Sequence, residues 1–223
     1  MRISNSISRL PSATLRAIFF VCIATGMVGV SLGSLASSYH VPLWIPLSLS
    51  ICVLAGTAEF IFIGFLITGG HPITAAITGL LVNLRHLPFG IAVHELIQGK
   101  FLHFFGCHIM NDESVMFGLT QENPEYKKLA YWVCGICIML CWPLGVFMGY
   151  FIGKIIPSPS SFGLDTLFPA ILFALIWNQL RDSTSIRQSA LIGSGLTIGS
   201  VSILPMGLPI LVSLLGLFFA RKK

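Results

Sequence analysis

Charge is what this sequence has least of. Only 9% of its 223 residues are Asp, Glu, Lys or Arg, against about 25% in an ordinary soluble domain. Acids are the scarcer sign, eight against thirteen Lys and Arg. So thin a polar shell excludes a water-soluble globule of this size. A basic stripe is also missing. The Lys and Arg residues stand in small groups beside apolar runs, which excludes a nucleic-acid surface despite the formal net charge of +5. There is no Gly-rich phosphate loop and no G-x-S-x-G elbow. His94-Glu95-Leu96-Ile97-Gln98 begins like H-E-x-x-H but ends in Gln, and His103, Cys107 and His108 match no ligand spacing. No metal, cofactor or enzymatic activity is therefore expected. No linker divides the chain, so residues 1–223 are read as one transmembrane domain.

What the sequence does have is apolar length. Hydrophobic residues make up 55% of it, and the mean hydropathy is +0.88. Runs of about 20 apolar residues recur, each long enough for a hydrocarbon core of about 30 Å. Backbone in lipid must satisfy its own hydrogen bonds, which leaves helices or a closed barrel. A barrel strand alternates apolar and polar residues, and the stretches 18–30 and 131–156 do not. The expected fold is an all-α polytopic integral membrane protein of about six to eight transmembrane helices, some broken or re-entrant. Spans are expected near 15–37, 43–68, 72–98, 102–121, 128–153, 164–180, 187–203 and 206–220, with Pro205, Gly207 and Pro209 turning the chain sharply between the last two. Arg2, Arg9 and Arg16 precede an apolar stretch ending at Ser34-Leu35-Ala36, a pattern shared with signal peptides. That stretch is longer than the 7–15 residues of a signal core, so a retained span is expected.

The basic residues orient the chain. With the N-terminus inside, Arg2, Arg9, Arg16, Lys127, Lys128, Arg181, Arg187, Arg221, Lys222 and Lys223 fall on the cytoplasmic side, and only Lys100 and Lys154 outside. Both termini are thus expected in the cytoplasm, with the cell inner membrane as the location. Of six cysteines, Cys134, Cys137 and Cys141 recur on one helical face. Buried apolar thiols are the expected reading, ahead of zinc binding or redox chemistry.

Ionisable groups at membrane depth cost roughly 2.5–3.5 kcal/mol each on insertion scales, so they mark function by default. Glu59, followed by Phe60, comes after four small residues, Ala55-Gly56-Thr57-Ala58. Such a run lets helices approach closely or unwind around a substrate. Glu59 is a candidate proton carrier; the alternative is a structural carboxyl, neutral or paired with Arg85. Gly79, Asn83, His86, Gly90 and His94 fall on one helical face, small and polar. Pro88 cannot donate to the Leu84 carbonyl and should kink or break that helix. Arg85 can clamp a carboxylate in a bidentate fork, or simply neutralise Glu59, Asp112 or Glu113. Asp112 and Glu113 can pair with Arg85, hold an ammonium, or lie at the interface.

These residues carry a family resemblance. Ala55-Gly56-Thr57-Ala58-Glu59-Phe60 resembles the A-G-small-small-Q-F segment of AzlC-like proteins, with Glu where Gln is more usual. Val82 to Gly90 resembles their N-x-R-H-x-x-[YF]-G signature, and Asp112-Glu113-Ser114 their D-E-[ST] element. Gly163 to Ala170 and Leu180-Arg181-Asp182 resemble L-D-x-x-F-P-A and the following L-R-D. Order and spacing agree from about residue 45 onward. The resemblance implies secondary export of branched-chain amino acids and their analogues, with a small AzlD-type membrane partner.

A proton-coupled exporter is therefore the leading expectation. Phe60 and Phe89 would line an apolar pocket, Arg85 would receive the substrate carboxylate, and Glu59 or Asp112 the ammonium, with Asn83, His86 and Glu113 beside them. Transport of another small solute on the same scaffold, or a non-transporting membrane subunit, are the alternatives.

Overall fold

The computed structural model describes residues 10–155, 173, 177, 180–204, 209 and 212–219. Among these residues every regular element is helical. Two helices dominate. α1 (Ser12–Ser38) has 27 residues and α8 (Pro124–Ile155) has 32. At 1.5 Å per residue they run about 40 and 48 Å, more than a hydrocarbon core requires. Both are apolar enough to cross a membrane. α8 starts in the standard way: Pro124 occupies its first position, where a missing N–H costs nothing, and the Asn123 side chain accepts from the Glu125 N–H at 2.8 Å.

α1 and α8 lie side by side in close contact. Gly29 and Gly33 of α1 and Gly145, Gly149 and Gly153 of α8 each let the backbone of the other helix approach; a Cβ on Gly33 would strike the Val146 carbonyl, one on Gly145 the Gly26 carbonyl and one on Gly149 the Val30 carbonyl. Lipid gives two apolar helices no hydrophobic reason to associate, so small residues that permit such contact supply the packing instead. The outward faces stay apolar: Phe20, Met27, Leu140, Leu144 and Phe147 are exposed. In water this surface would aggregate; facing acyl chains it is matched. The chain is a membrane protein.

The sequence between these helices folds into short, broken pieces. The stretch expected as one span at 43–68 is two helices, α2 (Trp44–Cys52) and α3 (Gly56–Ile67), parted at residues 53–55, where Leu54 takes φ +51°. The span expected at 72–98 is α4 (Pro72–Asn83) and α5 (His86–Val93), bent by 40°, followed by a 3₁₀ turn over His94–Ile97. Pro88 is its physical cause, but the break falls four residues earlier, leaving the proline in the first turn of α5, where it is tolerated. The span expected at 102–121 is likewise α6 (Lys100–His108) and α7 (Asp112–Leu119). Asn111 begins α7 with a reciprocal cap: its Oδ1 accepts from Ser114 N–H at 2.8 Å, and Ser114 Oγ accepts from Asn111 N–H at 3.0 Å. Among the described residues, then, two helices can cross a membrane, or three if α4 and α5 form one span.

Two clusters of buried side chains bind these pieces to the long helices. Ile18 and Leu32 of α1, Phe60 and Ile63 of α3, and Ile138, Trp142 and Val146 of α8 form the larger one. Val93, Ile97, Ile109, Val115 and Tyr131 form the second. There, Tyr131 Oη donates to the Gly106 carbonyl at 2.8 Å and Trp132 Nε1 to the Leu96 carbonyl at 3.0 Å, so α8 also satisfies backbone that the broken pieces leave open. α9 (Thr184–Ser200) packs against a 3₁₀ segment at Ser213–Phe219, with Gly193 against Ser213 and Gly216 against Ser189. The span expected at 164–180 and the Gly163–Ala170 motif lie outside the described residues, apart from residues 173, 177 and 180.

Candidate functional site

The three breaks open onto one hollow. A cavity of about 410 Å³ is lined by Leu54, Ala55, Gly56, Thr57 and Phe60 from the first break, Arg85 and His86 from the second, and Asn111, Asp112, Glu113 and Met116 from the third. Val21, Ala24, Thr25 and Val28 of α1 and Ile138 and Trp142 of α8 close its sides. Its volume is in the range of roughly 300–1,000 Å³ typical of small-molecule sites. The lining is mostly apolar, with a few convergent polar groups, as such sites require. A second hollow of about 660 Å³, bounded by Leu47, Ile51, Phe105, Met139, Leu140 and Pro143, has His108 as its sole ionisable lining group.

Arg85 and Asp112 pair directly on the cavity wall. Arg85 Nη2 stands 3.1 Å from Asp112 Oδ2, and both side chains are more than a third exposed. Neither member of the pair is sealed in the core, so a ligand entering the cavity can reach both. Arg85 Nε is buried without a hydrogen-bond partner among the described residues, and so is Asn83 Oδ1 just before it. Buried polar atoms are seldom left so. His86 Nδ1 is 3.1 Å from the Asn83 carbonyl. A carbonyl only accepts, so Nδ1 donates and carries the proton. The His86 ring meets Phe89 edge-on at 5.9 Å.

Backbone electrostatics add to this. α3, α5 and α7 all begin at the cavity wall. Asp112 and Glu113 occupy the first turn of α7 and Glu59 that of α3, each acid at a positive helix end. The start of α5 offers little to an anion, because the Leu87 N–H is taken by the Leu84 carbonyl at 3.0 Å and Pro88 has none; the positive charge there is that of Arg85.

Of the residues singled out by sequence, Phe60, Arg85, His86, Asp112 and Glu113 meet at this cavity. Asn83 lies outside the lining, two residues before Arg85, at the end of α4. Glu59 is behind the wall, 1% exposed. Its carboxylate accepts the Trp142 indole N–H at 3.1 Å on Oε1 and 3.0 Å on Oε2, and the Ala55 N–H at 3.0 Å on Oε1. Arg85 pairs with Asp112 rather than with Glu59. The polar stripe does not survive the break as one face: Gly79 packs on Ala58, whereas His94 is exposed in the 3₁₀ turn. Sequence reasoning missed Trp142 and the α1 wall. Trp142 is 83 positions from Glu59, and nothing in either local pattern announces their meeting. Among the described residues no three His, Cys, Asp or Glu side chains form a metal-binding group.

Comparison with known proteins identifies relatives of the whole chain. A branched-chain amino acid transport protein AzlC of Bacillus subtilis is 26% identical over 205 residues, covering 88% of this chain and 79% of the relative. An uncharacterized membrane protein of Haemophilus influenzae is 22% identical over 230 residues, 96% of this chain and 89% of its own. No solved structure matches. The family model described as AzlC protein matches residues 21–156, a stretch that contains all three breaks, the paired charges and both long walls. The chain belongs to the AzlC family.

Proposed function

We propose that this chain is the main transmembrane subunit of a secondary active exporter of branched-chain amino acids, coupled to protons. The observation that carries the reading is the pair of opposite, accessible charges, Arg85 and Asp112, on the wall of an otherwise apolar cavity at three helix breaks. A zwitterion with an aliphatic side chain needs one cation, one anion and an apolar recess. Arg85 receives the carboxylate. Asp112 receives the ammonium. Phe60, Met116, Val28 and Ile138 surround the side chain. Asn83 and His86 frame Arg85, and Glu113 is a second acid within the cavity for proton exchange with Asp112. Broken helices that present backbone and charge at mid-membrane suit alternating access. The name of the Bacillus subtilis relative supports the substrate class.

The same proposal takes residues 1–223 as one transporter domain in the cytoplasmic membrane, both termini inside, working with a small AzlD-type subunit. The test is efflux of labelled leucine from proteoliposomes under an imposed proton gradient. Arg85→Ala should abolish efflux while the protein still inserts, and Arg85→Lys should be poor because an ammonium offers no planar fork. Wild-type efflux by Arg85→Ala would remove the arginine from the site. Efflux that ignores the gradient would remove the proton.

A further inference from the structure

Glu59 is buried, touches no cavity space, and has no cation within ion-pair distance among the described residues. All it does in the structure is accept N–H groups. One comes from Ala55, at the broken end of α3, and the other from Trp142 of α8, whose indole N–H is shared between both carboxylate oxygens. Trp142 in turn is cavity wall. Its six-membered ring lies over Gly56, where a Cβ would come within 3.1 Å of it, and its edge meets Phe60 with ring centroids 6.5 Å apart. The next residue is Pro143, inside α8. Proline has no N–H for the Met139 carbonyl, so the α8 ladder loses a rung beside Trp142. The Trp142 backbone is pressed against Gly29 of α1, and Glu59 supplies the acceptor for its buried indole N–H.

We infer that Glu59 is a positioning residue: by clamping the Trp142 indole to the broken end of α3, it fixes the apolar wall that measures the side chain of the substrate. This rests on the amino-acid reading of the cavity. The indole and Phe60 form one corner of the recess, and a corner held by two hydrogen-bonded anchors cannot yield to a bulkier side chain. Without the clamp the ring is free to swing, and the size limit relaxes. Gln at this position keeps one oxygen that can accept both N–H groups, as Oε1 does, once its amide turns the NH2 that replaces Oε2 away from the indole N–H 3.0 Å from it.

Two measurements on the full chain decide it. The first uses a version carrying Trp44→Phe, Trp132→Phe and Trp177→Phe, so that Trp142 alone fluoresces. Adding Glu59→Ala should shift and broaden its emission; adding Glu59→Gln should not. The second compares alanine, valine, leucine and phenylalanine as competitors of leucine efflux. Glu59→Ala should change the valine-to-phenylalanine ratio by about tenfold, the scale on which apolar pockets discriminate size. Glu59→Gln should keep the wild-type ratio. Trp142→Phe should reproduce the altered ratio with Glu59 intact, and it keeps the test alive if Glu59→Ala does not fold. Equal loss for all four competitors, or unmoved Trp142 emission in Glu59→Ala, would overturn the inference. If the wild type moves no amino acid, the proposed function fails, and the fluorescence comparison alone decides whether Glu59 holds the indole.

Discussion

Substituting Gly149 by Ala tests the α1–α8 contact at its tightest point. The added Cβ would strike the Val30 carbonyl oxygen and come within 2.6 Å of both the Val30 carbonyl carbon and Cα. Carbon atoms pack at about 3.5–4.0 Å, so the helices must separate by about 1 Å. No flexible side chain stands at this point to move aside; the obstruction is backbone. Overpacking of a close-packed interior costs about 1–3 kcal/mol, and a backbone collision belongs at the upper end, about 3 kcal/mol. The effect should also reach the cavity, because Val21, Thr25 and Val28 of α1 face Ile138 and Trp142 of α8 across it. Denaturant unfolding in detergent micelles measures the stability, and calorimetry with leucine the affinity. Gly64→Ala is the control, since nothing lies within 4 Å of its added Cβ. Equal stability of Gly149→Ala and Gly64→Ala would refute the close backbone contact and the packing argument built on it.

Three further outcomes follow from other contacts. Asn111→Ala removes the cap that starts α7 and sets Asp112; it should cost about 1 kcal/mol in unfolding experiments and weaken transport, whereas Asn111→Ser should recover part of the loss by keeping a cap acceptor, though not the Nδ2 donation to the Ile109 carbonyl. Tyr131→Phe deletes a buried hydrogen bond to the Gly106 carbonyl and should cost about 1 kcal/mol in the same experiments, with substrate selectivity unchanged because Tyr131 belongs to the cluster away from the cavity. Met27→Arg places a charge on the exposed apolar face near the middle of α1 and should oppose insertion by about 2.5–3.5 kcal/mol, read as the fraction of chains integrated into microsomes.

How much of this was legible in the sequence depended on the range of the interaction. The long helices were readable from apolar length: expected near 15–37 and 128–153, they span Ser12–Ser38 and Pro124–Ile155. Their pairing was half-written, since Gly145, Gly149 and Gly153 recur every fourth residue on one face, but the matching face of α1 lies more than a hundred positions away. The breaks had local signals of unequal strength. Pro88 marks the second. The first stands where the small run Ala55-Gly56-Thr57-Ala58 begins, and its left-handed Leu54 carries no sequence mark. At the third, Asn111 and Ser114 form a capping pair, yet the surrounding apolar residues read as one continuous span. The contact of Arg85 and Asp112 was one of several pairings the sequence allowed, and three-dimensional closure chose it. The partner of Glu59 had no local signal, because Trp142 comes from a helix that only folding brings near.

The most direct measurement is calorimetric titration of the purified protein with leucine, with leucinamide, which lacks the carboxylate, and with 4-methylpentanoate, which lacks the ammonium. If Arg85 and Asp112 hold the two ends of a zwitterion, leucine binds best. Arg85→Ala then erases the advantage of leucine over the amide, and Asp112→Ala erases its advantage over the acid, each by about tenfold or more. Leucine binding that is unchanged in both variants, or equal binding of all three compounds to the wild type, would contradict the account.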